Sequence, residues 1–237
     1  MTTNEFKIQG IPSVLWGGPS DRVIIGVHGN MSSKTDIPMA LLAQYCTARG
    51  FQLLTFDLPE HGDRKAERRL CNAQNCVADV AIVMEYAMAH WEKISLFANS
   101  MGAYFSMTAL DSHGLEHCFF LSPIVDMKQL IENMLAWSDI TLERLEAEGV
   151  ITSASGQVFY WDYYRYVADH PVTAWEAPTH ILCGSSDIMS GPGINTAFAE
   201  RFHCSLEVLP GGEHYFHTEQ QLAAYQDWLE RHLPIYT

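Results

Sequence analysis

Basic clusters are missing from this chain. Lys and Arg number 14 against 28 Asp and Glu, for a formal net charge of −14. Phosphate contacts need gathered cations, so no nucleic acid is expected as a partner. Anionic membrane surfaces are disfavoured for the same reason, and the acidity serves solubility. Long apolar runs are also missing: none approaches the ~20 residues that span a bilayer. Met1 to Gln9 lacks the basic-then-apolar order of a secretory leader. A soluble, cytoplasmic protein is therefore expected. Cysteine is sparse and scattered, at Cys46, Cys71, Cys76, Cys118, Cys183 and Cys204. Such a set reads as buried free thiols in a reducing compartment. Cys71 and Cys76 are the only close pair, and their spacing matches no zinc pattern. Internal repeats and low-complexity segments are lacking too.

What is present suits one large domain, or a domain with an insertion: 237 residues, 48% hydrophobic and 18% charged. Short apolar, β-rich runs alternate with helical patterns, which predicts an α/β fold with a mostly parallel central sheet and helices on both faces. Phe6–Gln9 and Val14–Trp16, either side of Gly10-Ile11-Pro12, read as an opening hairpin. Strands are expected at Arg22–Val27, Phe51–Phe56, Lys93–Phe97, Cys118–Leu121, His180–Cys183 and Leu206–Leu209. Helices are expected at Asp36–Arg49, at Asn75–His90 with Val77, Val80, Ala81, Met84 and Met88 on one face, at Asn195–His203 and at Glu219–His232.

After Pro123 the alternation stops. From about Asp126 to Pro178 no strand is expected between helical stretches at Leu130–Trp137 and Ile140–Glu148. The division is therefore a core of residues 1–126 and 179–237, with a small helical cap or lid, residues 127–178, inserted after the sixth core strand. An insertion there suits a site at the carboxyl ends of the strands. Its aromatics Phe159, Tyr160, Trp161, Tyr163 and Tyr164 are expected mainly to pack the cap, with Tyr160, Trp161 and Tyr164 as candidates for lining a substrate pocket.

The most informative stretch is Leu96 to Tyr104, L-F-A-N-S-M-G-A-Y. A β-like run ends in small residues around Ser100, and a helical pattern follows at once. A serine on such a cramped strand-to-helix corner has the arrangement of a nucleophile elbow, which needs small neighbours. A serine hydroxyl is a weak nucleophile until a base takes its proton. Histidine suits that task near neutral pH, and a carboxylate fixes its tautomer. Asp187 follows the Ile181–Cys183 run and His214 follows the Leu206–Leu209 run, so all three sit after strands, in the order Ser, Asp, His.

With that order, the chain resembles the α/β-hydrolase-fold serine hydrolases of the esterase, lipase and S33-peptidase superfamily over all but the cap. The residues that carry the likeness are His28-Gly29-Asn30, Asp57-Leu58-Pro59-Glu60-His61-Gly62, Ala98-Asn99-Ser100-Met101-Gly102, Gly184-Ser185-Ser186-Asp187 and Gly211-Gly212-Glu213-His214. The resemblance implies Ser100 as nucleophile, His214 as general base and Asp187 as its orienting acid. It also implies an oxyanion hole from the backbone N–H groups of Asn30 and Met101. Ala98 stands where the first elbow glycine is usual, and Glu60 stands where related D-x-P-G-H-G strings have glycine.

Rivals remain at this stage: Asp126 for the acid, His217 for the base, and a metal site from Glu213, His214 and His217, which has no ordered ligand spacing. His28, Asp57 and His61 read as loop organisers. The expectation is a serine hydrolase that cleaves a small carboxylic ester through an acyl-enzyme, with no metal and no cofactor and with a small-molecule substrate as its partner. A peptidase, thioesterase or acyltransferase using the same residues is the alternative, and a non-catalytic binding protein on this fold is a third. The sequence leaves a homodimer open.

Overall fold

A computed structural model describes residues 1–236. The chain runs β1 (Thr3–Ile8), β2 (Ile11–Trp16), β3 (Arg22–Val27), α1 (Ile37–Thr47), β4 (Gln52–Phe56), α2 (Ala73–His90), β5 (Lys93–Asn99), α3 (Met101–Ala109) and β6 (Leu115–Leu121). It continues through α4 (Met127–Trp137), α5 (Leu142–Glu148), β7 (Val150–Thr152), β8 (Val158–Tyr160) and α6 (Trp161–Asp169). It closes with β9 (Thr179–Gly184), α7 (Pro192–Phe202), β10 (Ser205–Leu209) and α8 (Glu219–His232).

Eight strands form one sheet in the order β1-β2-β4-β3-β5-β6-β9-β10. Only the β1–β2 and β2–β4 pairs are antiparallel; every pair from β4 to β10 is parallel. The parallel strands read as near-continuous apolar runs because both of their faces are covered. Successive side chains then alternate between two cores. Val23, Ile25, Val27, Leu96, Ala98 and Phe120 face the core under α2, α3 and α7. Ile24, Phe97, Phe119 and Leu121 face the core under α1 and α8. Trp228 of α8 is fully buried in the second core, where truncation of such a side chain to alanine costs about 3–5 kcal/mol. A capping box starts α8: Thr218 accepts from the backbone N–H of Gln221, whose side chain bonds back.

From β3 the chain passes to β4 on one side, and β5 then pairs with the other side of β3. Such a switch opens a crevice at the carboxyl ends of the strands. Among the described residues, no helix is long and apolar enough to cross a membrane.

Three expectations are corrected. The opening turn is Gln9-Gly10, both with positive φ (48° and 94°), the hallmark of a tight hairpin turn; Ile11 and Pro12 belong to β2. The segment between β6 and β9 holds an antiparallel ribbon, Val150–Thr152 against Val158–Tyr160, where no strand was expected; three-residue strands are too short to show a period. On α2 the buried stripe is Cys76, Val80, Val83, Met84 and Ala87, whereas Met88 is 70% exposed. The segment's own apolar cluster comprises Leu135, Ile140, Leu145, Ile151, Phe159 and Tyr164.

Candidate active site

Ser100 directly follows β5 with φ 54° and ψ −125°, a conformation that costs a non-glycine residue ~1–3 kcal/mol and persists only when its surroundings enforce it. Here they do. The Ser100 N–H donates to the Leu121 carbonyl at the end of β6, and the Ser100 carbonyl accepts from Ile124 and Ala103. Gly102 is required by contact: a Cβ there would lie 2.7 Å from the carbonyl oxygens of both Val27 and His28. Helix α3 thus starts hard against the end of β3. A Cβ on Gly29 would in turn meet the Ser100 Cβ at 2.8 Å, so the loop after β3 lies against the serine.

Asp187 and His214 are joined to this corner by a second close approach. A Cβ on Gly184 would sit 2.1 Å from the Gly212 carbonyl oxygen. The loop after β9 therefore packs backbone to backbone on the loop after β10, and the Ser186 N–H donates to that same Gly212 carbonyl. The Asp187 carboxylate, 3% exposed, accepts from the Met189 N–H (2.8 Å), the Ser190 N–H (3.1 Å), the Ser190 hydroxyl (2.7 Å) and His214 Nδ1 (2.8 Å). Burial pushes its pKa up, but the bonds from His214 and Ser190 outweigh this and hold it below the usual carboxylate range. An ionised carboxylate only accepts, so His214 donates from Nδ1 and keeps a lone pair on Nε2. That nitrogen lies 2.8 Å from Ser100 Oγ and accepts from its hydroxyl. Ser100, His214 and Asp187 form one hydrogen-bonded chain.

The rivals fall elsewhere. Asp126 caps α4 by accepting from the Gln129 N–H at 2.9 Å. His217 Nδ1 bonds the Tyr215 carbonyl and lies 3.6 Å from Glu213, while His214 is committed to Asp187 and Ser100.

The loop after β3 is held by the residues read as organisers. His28 is fully buried; its Nδ1 donates to the Gly29 carbonyl (2.7 Å) and its Nε2 accepts from the Leu58 N–H (3.0 Å). Burial lowers its pKa to about 4, so it stays neutral. Asp57 accepts from the Lys34 backbone and ammonium and from the Asp63 N–H. His61 Nδ1 donates to the Pro59 carbonyl, and its Nε2 accepts from the Met31 N–H at 3.1 Å. Glu60 keeps a left-handed φ of 62° where related strings have glycine; its carboxylate accepts from the Cys71 N–H at 2.7 Å. The backbone N–H groups of Asn30 and Met101 donate to no partner among the described residues.

Ser100, His214, Asn30 and Met101 open on a cavity of about 1040 Å³. One part of its wall is apolar: Met127, Leu130, Ile131 and Met134 of α4, with Val158, Phe159 and Tyr163. Of the expected pocket aromatics only Tyr160 lines it. Trp161 and Tyr164 do not, because they stack on each other at 5.4 Å and the Tyr164 hydroxyl donates to Glu132. The lining residues of α4 stand at i, i+3, i+4 and i+7, a helical stripe that the sequence displays. The glycine-to-glycine contact of the two loops leaves no such pattern.

A family model described as "Serine aminopeptidase, S33" matches residues 18–155, more than half of the chain. Among solved structures, Est1E from Butyrivibrio proteoclasticus with ferulic acid bound is similar at a TM-score of 0.78 and 17% identity, covering 96% of this chain and 98% of that one. The alpha/beta hydrolase domain-containing protein 10 from mouse is similar at 0.76 and 14%, covering 97% of each chain. The Pyrococcus furiosus esterase Pf2001 is similar at 0.67 and 16%, covering 97% of this chain and 90% of that one. No curated protein matches the chain. At these identities the structural likeness shows the fold.

Proposed function

We propose that this chain, which belongs to the serine aminopeptidase S33 family and is a hydrolase of the α/β-hydrolase fold, cleaves small carboxylic esters with an apolar or aromatic acyl part. The observation that carries this reading is the unbroken chain of hydrogen bonds from Ser100 through His214 to Asp187 at the floor of a large cavity.

In this reading Ser100 Oγ attacks the ester carbonyl as His214 Nε2 takes its proton. Asp187 holds the Nδ1–H and stabilises the imidazolium. The unpartnered N–H groups of Asn30 and Met101 receive the developing oxyanion, where loss of one donor typically costs ~10²–10³ in rate. His214 then protonates the leaving alcohol, and the acyl group rests on Ser100. Water, activated by the same imidazole, releases the acid. The segment 127–178 serves as the lid, and the apolar stripe of α4 receives the acyl chain.

The family description raises amide cleavage after a free amino terminus. Two carboxylates line the cavity, Asp36 and Glu60; Asp36 accepts at both oxygens, from the Ile37 N–H and the Ser32 hydroxyl, and Glu60 accepts at one, from the Cys71 N–H. The apolar stripe of α4 in the cavity wall favours an ester with an apolar acyl part.

The test is a series of p-nitrophenyl esters of rising acyl length beside amino-acyl p-nitroanilides, with fluorophosphonate labelling. Ester turnover with label on Ser100 is expected, and Ser100→Ala should lower kcat by several orders of magnitude, by analogy with ~10⁶ for the nucleophile of another such enzyme. An intact protein that neither turns over esters nor takes the label would overturn the reading.

A further inference from the structure

Two thiols touch in the wall of the cavity. Cys71 Sγ lies 3.5 Å from Cys76 Sγ. Asn72 caps α2, so Cys71 and Cys76 occupy the positions just before the cap and in the second helical turn, whose side chains meet across a helix start. An apolar staple would account for the contact alone. Two observations go further. Cys71 is half-buried and lines the cavity, whereas Cys76 is fully buried behind it. Cys71 also lies beside His61. Contact with Cys76 lowers the Cys71 thiol against the opposing effect of burial. Burial, then the neighbouring Cys71, pushes Cys76 up. The reachable thiol in the cavity wall and the enclosed thiol touching it stand in the order of an attacking and a resolving cysteine.

We propose that Cys71 and Cys76 form a reversible redox site in the cavity wall, in which a hydroperoxide oxidises Cys71 and Cys76 closes the disulfide. The Cys71 thiolate attacks the outer peroxide oxygen. The O–O bond breaks, the alkoxide or hydroxide leaves and takes a proton from solvent, and Cys71 becomes a sulfenic acid. Cys76 sulfur then attacks Cys71 sulfur, the S–O bond breaks, and the departing hydroxide leaves as water with the Cys76 proton. Two thiols lose two electrons in all, and the peroxide gains them. The sulfurs must close from 3.5 Å to the ~2.05 Å of a disulfide. That movement draws Cys71 away from His61, whose Nε2 holds the Met31 N–H next to Asn30. Oxidation therefore slows Ser100 chemistry, a consequence that rests on the esterase reading; the thiol chemistry does not.

The full chain is treated with hydrogen peroxide, denatured, alkylated with iodoacetamide and digested with trypsin. Residues 70–93 form one tryptic peptide with Cys71 and Cys76 as its only cysteines. Cys204 serves as an internal control, since burial pushes its thiol up to about 11. The expected result is that this peptide loses both labels and two hydrogens, Cys204 keeps its label, and dithiothreitol restores the pair. Full labelling of both cysteines at a dose that oxidises glutathione would overturn the proposal, as would oxidation of Cys71 with Cys76 still labelled. In the activity arm, kcat on a p-nitrophenyl ester falls about tenfold, less than the ~10² that a 1 Å misplacement can cost, and dithiothreitol restores it. Cys76→Ala loses this reversible component; an equal reversible loss in that variant would sever the disulfide from the effect. A protein without esterase activity would still report the labelling.

Discussion

Ser100 carries the cost of its position in its own backbone. Its φ of 54° suits glycine, and the ring of contacts around it enforces the conformation. Ser100→Gly should therefore raise stability by about 1 kcal/mol while abolishing ester turnover; thermal unfolding beside a rate assay checks both, and a lowered melting temperature would contradict the strain argument. At the other end of the hydrogen-bonded chain, Asp187 accepts four bonds and Asp126 accepts one at a helix start. Asp187→Asn should lower kcat by ~10⁴, as loss of the orienting carboxylate does in another enzyme of this kind. Asp126→Asn should leave kcat within a few-fold, and the opposite ranking would reassign the acid. These residues were legible in the sequence because each follows a strand, and strand ends at one edge of a parallel sheet converge. Trp161 and Tyr164 were misread because an aromatic side chain in a helix gives no sign of whether it faces a cavity or a neighbouring ring.

Among the elements, the β9 and β10 loops show how closely two backbones are fitted. Gly184→Ala places a carbon only 2.1 Å from the Gly212 carbonyl oxygen. The loops that carry Asp187 and His214 must then separate. The expected outcome is at least a hundredfold loss of kcat with a destabilisation of about 1–3 kcal/mol, measured by kinetics and urea unfolding. Near-normal turnover in the variant would show that the loops are not fixed by this contact. The strands were readable as apolar runs bounded by turn residues. The Val150–Thr152 and Val158–Tyr160 ribbon was not, since three residues cannot display alternation. The buried face of α2 was drawn one step too far round, because Met88 is as apolar as Met84 and only packing tells them apart.

For the whole molecule, pH acts through histidines held neutral by burial. His28 has its folded pKa lowered from 6.5 to about 4, so below pH 6.5 the unfolded chain binds a proton that the folded one refuses. The stabilisation is complete above the unfolded value and is lost as pH falls toward the folded one. His28 alone should remove about 3 kcal/mol of stability over that interval. His180, also lowered to about 4 by burial and by the neighbouring His232 and His117, adds to the same slope. Urea unfolding at steps between these pH values reads it, and a flat profile would refute the neutral assignment. The sequence disclosed the sheet and the convergence at its carboxyl edge, but not which histidines lose water, since that depends on what packs around them. The ribbon segment between β6 and β9 has a different bearing on the molecule: it keeps a small apolar cluster of its own, yet Met127, Leu130, Val167 and Trp175 belong to the core under α2, α3 and α7, and Ile131 and Met134 pack against both. Its upper storey can thus be rewritten piecemeal, but lifting the whole segment away would tear open the packing beneath it.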